Sequence, residues 1–239
     1  LEEAQKSPQR IAREELRSTL SDASRPSPVF MATVALSTVV ACLGLARDSS
    51  AVVIGAMVIA PLLGPNMALA LATTLGDKKL MSRALKANIG GVAFAFGLSL
   101  LLGVMLAVDP HQAEIASRAN FVPSDLLLGL AAGAAGALAF TSGVPAQLVG
   151  VMVAVALLPP LVTCGMLTAN GFWAEAVQAG LLLWANVVCV NLSAVSVFVS
   201  QGVRPRTWWE HRKSVRRSHA ALLFWGTSLA LTLGAAWLD

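Results

Sequence analysis

Long apolar runs separated by short polar stretches dominate this chain. Seven read as membrane spans, at about 28–46, 51–75, 87–108, 125–140, 146–167, 174–200 and 220–238. Runs of this length predict an all-α membrane protein. The fourth is short for a hydrocarbon core of roughly 30 Å, so it is expected to be thinly inserted or buried among other helices. Ahead of the first span, Ala12, Leu16 and Leu20 recur every fourth residue, with Arg13, Glu14, Glu15 and Arg17 around them. Ser7-Pro8 fits a helix start, and Pro26 and Pro28 fit an end. This short amphipathic helix either lies on the cytoplasmic leaflet or belongs to a linker.

The second and fifth runs are near copies. A constant offset of 95 residues pairs Gly55 with Gly150, Met57 with Met152, Val58 with Val153, Leu62-Leu63 with Leu157-Leu158, and Pro65 with Pro160. Proline removes a backbone donor and crowds the preceding turn, so Pro61, Gly64 and Pro65 predict one broken helix and Pro159-Pro160 a second. Paired proline interruptions in two related halves are a sequence pointer to transporter-like sites. The expected plan is a first unit over 28–108, an external loop over 109–124 and a second unit over 125–200. A basic loop over 201–219 and a seventh helix over 220–239 follow. Three crossings per unit would invert the second relative to the first.

Charge supplies the orientation. With residues 1–27 in the cytoplasm and seven crossings, the N-terminal segment holds Lys6, Arg10, Arg13, Arg17 and Arg25 inside. The loop after span two adds Lys78, Lys79, Arg83 and Lys86, and the loop after span six adds Arg204, Arg206, Arg212, Lys213, Arg216 and Arg217. Fifteen of the 17 basic residues fall on that side, leaving Arg47 and Arg118 outside, which decides the orientation by the positive-inside rule. The C-terminus is then external. The net charge of +4 reports topology and anionic lipid headgroups rather than nucleic acid. Trp208 and Trp209 beside Arg212-Lys213 read as an interfacial anchor. The chain opens on Leu and shows no signal peptide, from which a preceding cytoplasmic domain is expected.

The spans carry no deep Asp, Glu, Lys, Arg or His. Proton-coupled carriers commonly use such groups, so a proton relay is disfavoured unless Asp48 or Asp77 dips inward from a span end. Neutral polar side chains remain: Asn66 directly after the first break, Thr163 after the second, and Asn88, Asn186 and Asn191 in the third and sixth spans. Together with Pro61, Gly64, Pro65, Pro159 and Pro160 they form the candidate substrate site, expected at the midplane. The asparagines serve equally to hydrogen-bond helices to one another. The small-residue face of span four, with Gly129 and Gly133, serves internal packing more readily than a homo-oligomer. Cys42, Cys164 and Cys189 share no metal-ligand spacing and read as small packing residues. No Ser-His-Asp set, metal cluster or nucleotide loop is visible, so neither an enzyme nor a cofactor is expected. Two functions fit: a transporter or channel for a small ion or solute, and a non-transporting oligomeric scaffold or sensor coupled to a cytoplasmic domain.

The stretch Gly55-Ala-Met-Val-Ile-Ala-Pro-Leu-Leu-Gly-Pro65, followed by Asp77, Leu80 and Arg83, resembles a bacterial membrane family, the uncharacterised hydrophobic domain family or domain of unknown function 389. Ala156-Leu-Leu-Pro-Pro-Leu161 is similar to its second block. The resemblance implies a bacterial inner-membrane location and a cytoplasmic domain before the membrane part. It assigns no activity and no catalytic residue.

Overall fold

A computed structural model describes residues 13–59, 61–106, 108–120, 122–142 and 146–203, together with Thr227; over 146–156 it describes the backbone. Nine helices run through these residues: α1 Arg13–Ala23, α2 Pro28–Ala46, α3 Ser50–Ile59, α4 Leu63–Leu75, α5 Lys78–Met105, α6 Ala113–Ala119, α7 Pro123–Ser142, α8 Ala146–Ala169 and α9 Trp173–Ser200. Four of them, α2, α5, α7 and α9, are long and apolar enough to cross a membrane, and a fifth span forms if α3 and α4 count as one bent segment. The protein is therefore a multi-helix, multi-pass membrane protein.

The expected seven spans in two inverted, doubly broken units are not found among the described residues. The described residues provide four spans, or five with the bent pair. Only the first proline segment breaks: α3 and α4 meet at 52°. The second does not, because α8 runs helically through Pro159 and Pro160. Without a matching break, the sequence repeat does not become a repeated pair of broken helices. The seventh span, Ser7-Pro8, Ala12 and Trp208-Trp209 lie outside the described residues.

Local chemistry explains the other boundaries. Ser27 caps α2 by accepting the Phe30 N–H at 3.1 Å, with Pro28 in the first turn. Asp77 caps α5 through the N–H groups of Lys79 and Leu80, so the basic turn before the apolar run is helical and α5 starts nine residues earlier than the hydropathy indicates. Gly76 closes α4 in the left-handed region at φ 69°. At 20 residues, about 30 Å, α7 is long enough to span, unlike the short fourth run. The 109–124 loop contains α6, whose Glu114 accepts from the Ser50 hydroxyl and pairs with Arg118 at 2.7 Å. Its N-terminal N–H, at Glu114, donates to Asp48 at 2.7 Å, so α6 is pinned on the α2–α3 hairpin.

Glycine sets how the helices pack. A Cβ at Gly133 would sit 2.4 Å from the Val190 carbonyl oxygen, and one at Gly129 would sit 2.9 Å from Cys189 Cβ. The small-residue face of α7 is thus spent on α9 within the chain. Gly103 likewise lets α5 reach the Met166 backbone of α8. The amphipathic α1 packs on the bundle. Leu16 and Leu20 are buried against α4, Ala23 touches Gly64 at one end, and Arg17 bonds Asp77 at the other. Helix α1 therefore lies antiparallel along the whole length of α4.

Candidate functional site

Three asparagines that the sequence scatters over 125 residues meet beside the break. Asn66 Nδ2 donates to Asn88 Oδ1 at 3.0 Å and to its own Leu62 carbonyl at 2.8 Å. Asn191 Nδ2 donates to Asn66 Oδ1 at 3.2 Å and to the Val187 carbonyl at 2.9 Å. The two bonds to carbonyls four residues back fix which way each amide points. The chain of amides thus joins α4, α5 and α9 in one direction. Asn66 and Asn191 are buried, Asn88 half-buried.

The chain is incomplete at both ends. Among the described residues, Asn88 Nδ2 and Asn191 Oδ1 are buried atoms with no hydrogen-bond partner. An unmet buried polar group costs roughly 1–3 kcal/mol. The cluster thus leaves one donor and one acceptor unmet among the described residues.

The break builds this position. Pro61 has no N–H to give the Met57 carbonyl, which opens the last turn of α3. The hydroxyl of Ser37 on α2 donates to the neighbouring Ala56 carbonyl at 2.7 Å, satisfying it inside the bundle. Pro65 falls in the first turn of α4, where its missing N–H costs little. The Asn66 N–H then bonds the Leu62 carbonyl at 3.3 Å. Gly64 carries no side chain because a Cβ would meet the Ala23 carbonyl oxygen at 2.9 Å. Sequence reasoning missed Ser37; a hydroxyl inside the apolar second helix was the available signal.

The remaining candidates go elsewhere. Asn186 faces α7, its side-chain oxygen 3.0 Å from where a Gly129 Cβ would stand. Thr163 is fully buried on α8, and among the described residues its hydroxyl has no partner and no hydrogen bond links it to the cluster. Pro159 and Pro160 are buried in an unbroken helix. Leu157 and Leu161 beside them share a buried cluster with Leu62 and Leu63, so the two proline stretches border one apolar region.

Among the described residues no carboxylate joins the amides. Asp48 is occupied at the α6 end by the Glu114 N–H. Asp77 lies eleven residues beyond Asn66, about 16 Å along α4. Partial burial there tends to raise the Asp77 pKa. Hydrogen bonds from the Leu80 N–H and from Arg17, with the Arg17 charge, outweigh that and hold it below its ordinary value. Among the described residues no group of three His, Cys, Asp or Glu is placed to hold a metal. Measured along the helices, Asn88 lies 17 residues before Met105 and Asn191 lies 18 after Trp173, about 26 and 27 Å. Both therefore stand toward the end of the bundle that carries Lys78, Lys79, Arg83 and Lys86.

The family model described as "Domain of unknown function (DUF389)" matches residues 57–192, which include α4, α5, most of α9 and all three asparagines. The chain belongs to the DUF389 family. It is also 37% identical over 226 residues, 95% of its own length and 71% of the relative's, to the Uncharacterized protein MJ0678 of Methanocaldococcus jannaschii. That relative is archaeal, so DUF389 membership does not carry the bacterial origin expected above. No solved structure matches the chain.

Proposed function

We propose that this DUF389 protein is a transporter or channel, not an enzyme, that passes a small polar solute or ion through a site at Asn66, Asn88 and Asn191. The observation that carries this reading is the open-ended amide chain: three asparagines from three helices, two buried and one half-buried, leaving one donor and one acceptor unmet among the described residues, beside the broken α3–α4 pair. Helix-to-helix glue alone would close its own hydrogen bonds. A neutral amide site suits a species bound by its dipoles rather than by a fixed counter-charge. The break supplies the moving part, because a change in the α3–α4 angle shifts Asn66 relative to Asn88 and Asn191. On this reading the site stands toward the basic end of the bundle. The positive-inside rule makes that end cytoplasmic, places the N-terminal segment there, and puts anionic lipids against it.

A second reading, a non-transporting oligomeric scaffold or sensor module, is favoured by α8. Its proline stretch is buried, helical and packed in apolar side chains, which is what a static element requires. Flux into proteoliposomes across an ion and solute panel separates the two. For a transporter, at least one species enters with the wild type and slows sharply with Asn66→Ala and with Pro65→Ala. Absence of flux under every condition, or flux indifferent to both changes, leaves the scaffold.

A further inference from the structure

Helix α1 also walls a cleft. Between its first turns and the α4–α5 corner lies an open cavity of about 350 Å³, at the small end of the roughly 300–1,000 Å³ typical of ligand sites. Four cations line it: Arg13 and Arg17 from α1, Lys78 and Lys79 from the first turn of α5. The carboxylate in the cleft, Asp77, is already engaged. Its Oδ2 accepts from Arg17 Nε at 2.8 Å and from a terminal nitrogen of the same guanidinium, and its Oδ1 accepts from the Lys79 and Leu80 N–H groups. Arg13 has Glu14 3.8 Å away. Lys78 and Lys79 are exposed and have no ion-pair partner among the described residues. After these pairings the cleft keeps two positive charges among the described residues, while the start of α5 is capped by Asp77.

We propose that this cleft binds a phosphate group, with Lys78, Lys79 and Arg13 in direct contact and Arg17 held in place by Asp77. A phosphate dianion matches the two uncompensated charges, and Lys and Arg side chains are suited to its oxygens. Depth admits two sources for that chemistry. Lys78 stands nine residues before Ala87, where the apolar part of α5 begins, about 13 Å along the helix. That is on the water side of a headgroup layer roughly 5–8 Å deep, so a soluble phosphate compound reaches it directly and an anionic lipid headgroup reaches it by way of the long lysine side chains. The proposal is independent of whether the asparagine site transports anything.

The test uses the full chain in detergent micelles. Native mass spectrometry with phosphatidic acid, phosphatidylglycerol and phosphatidylcholine reads the lipid source; calorimetric titration with inorganic phosphate and pyrophosphate reads the soluble one. At least one source binds the wild type. Lys78→Gln with Lys79→Gln then weakens it about tenfold or more. Arg83→Gln with Lys86→Gln removes the same charge from the same helix outside the cleft, and leaves binding within about threefold. Binding of phosphatidic acid or phosphatidylglycerol without phosphatidylcholine, and without the soluble anions, assigns a lipid headgroup; the converse assigns a soluble ligand; both together assign the phosphate itself. The proposal is overturned if no anion binds the wild type, or if the two double variants weaken binding equally.

Discussion

The two proline stretches began as near copies and folded differently. At the first, Pro61 and Pro65 stand four apart with Gly64 between them, and the helix breaks by 52°. At the second, the residue matching Pro61 is Ala156, the one matching Gly64 is Pro159, and the helix continues. A proline inside a helix costs about 3 kcal/mol, yet α8 absorbs two. Adjacent prolines interrupt one local patch of the ladder, and Leu157, Leu158, Leu161 and Val162 around them are all buried, so neighbouring side chains hold the turn in place. The spaced pair removes donors on both sides of a glycine, and Pro65 is then better used to start a new helix than to continue an old one. The second difference concerns function. The residue matching Asn66 is Leu161, so the unbroken copy has no amide to offer. Proline repeats, therefore, do not by themselves make a site; here the break and the amide occur together and are lost together.

The strongest way to test this contrast is to make the first stretch more like the second. Asn66→Leu removes the link between Asn88 and Asn191 and strands buried amide groups on both, so a loss of about 2–3 kcal/mol is expected in detergent unfolding curves. A smaller effect of opposite sign is expected in α8. Pro160→Ala returns an N–H to an existing helix and raises stability by about 1 kcal/mol, whereas Pro61→Ala returns one where the ladder is already open and gives no comparable gain. A gain at Pro61 as large as that at Pro160 would mean the two stretches are mechanically alike.

The smallest expected effect lies at the far end of α4. The folded protein holds Asp77 below its ordinary pKa of 3.8. Its ionised form therefore stabilises the fold fully above that value, and the contribution is lost as pH falls through the lowered folded value. Melting temperatures of wild type and Asp77→Asn, recorded between neutral pH and about pH 3, should converge on acidification. A gap that stays constant with pH would show that the carboxylate charge does not hold α1 to the α4–α5 corner.

Much of the membrane plan was legible because hydropathy is a property of runs. α2 and α9 fall where their apolar stretches do, and the first break falls where Pro61 and Pro65 place it. The second was misread because sequence similarity concealed the exchange of Ala156 for a proline and of Pro159 for a glycine, and because buried leucines stabilise a helix in ways local propensity does not record. Helix α6 was hidden in a polar loop, since its seven residues are fixed by Asp48 and Ser50 from a distant hairpin. Asn66, Asn88 and Asn191 were all visible as neutral polar residues in apolar surroundings. That Asn88 and Asn191 join Asn66 while Asn186 and Thr163 do not depends on how α4, α5 and α9 are rotated, which no single-helix pattern contains.

The most direct test compares Asn88→Ala with Thr163→Val in proteoliposomes. Asn88 can be lost with the fold kept, because Asn66 Nδ2 retains the Leu62 carbonyl; Thr163→Val removes a buried hydroxyl that has no partner among the described residues. The account predicts that a transported species found with the wild type is slowed about tenfold or more by Asn88→Ala, the worth of one polar contact, and passes Thr163→Val unchanged. Equal flux through wild type and Asn88→Ala, or loss confined to Thr163→Val, would contradict the asparagine site.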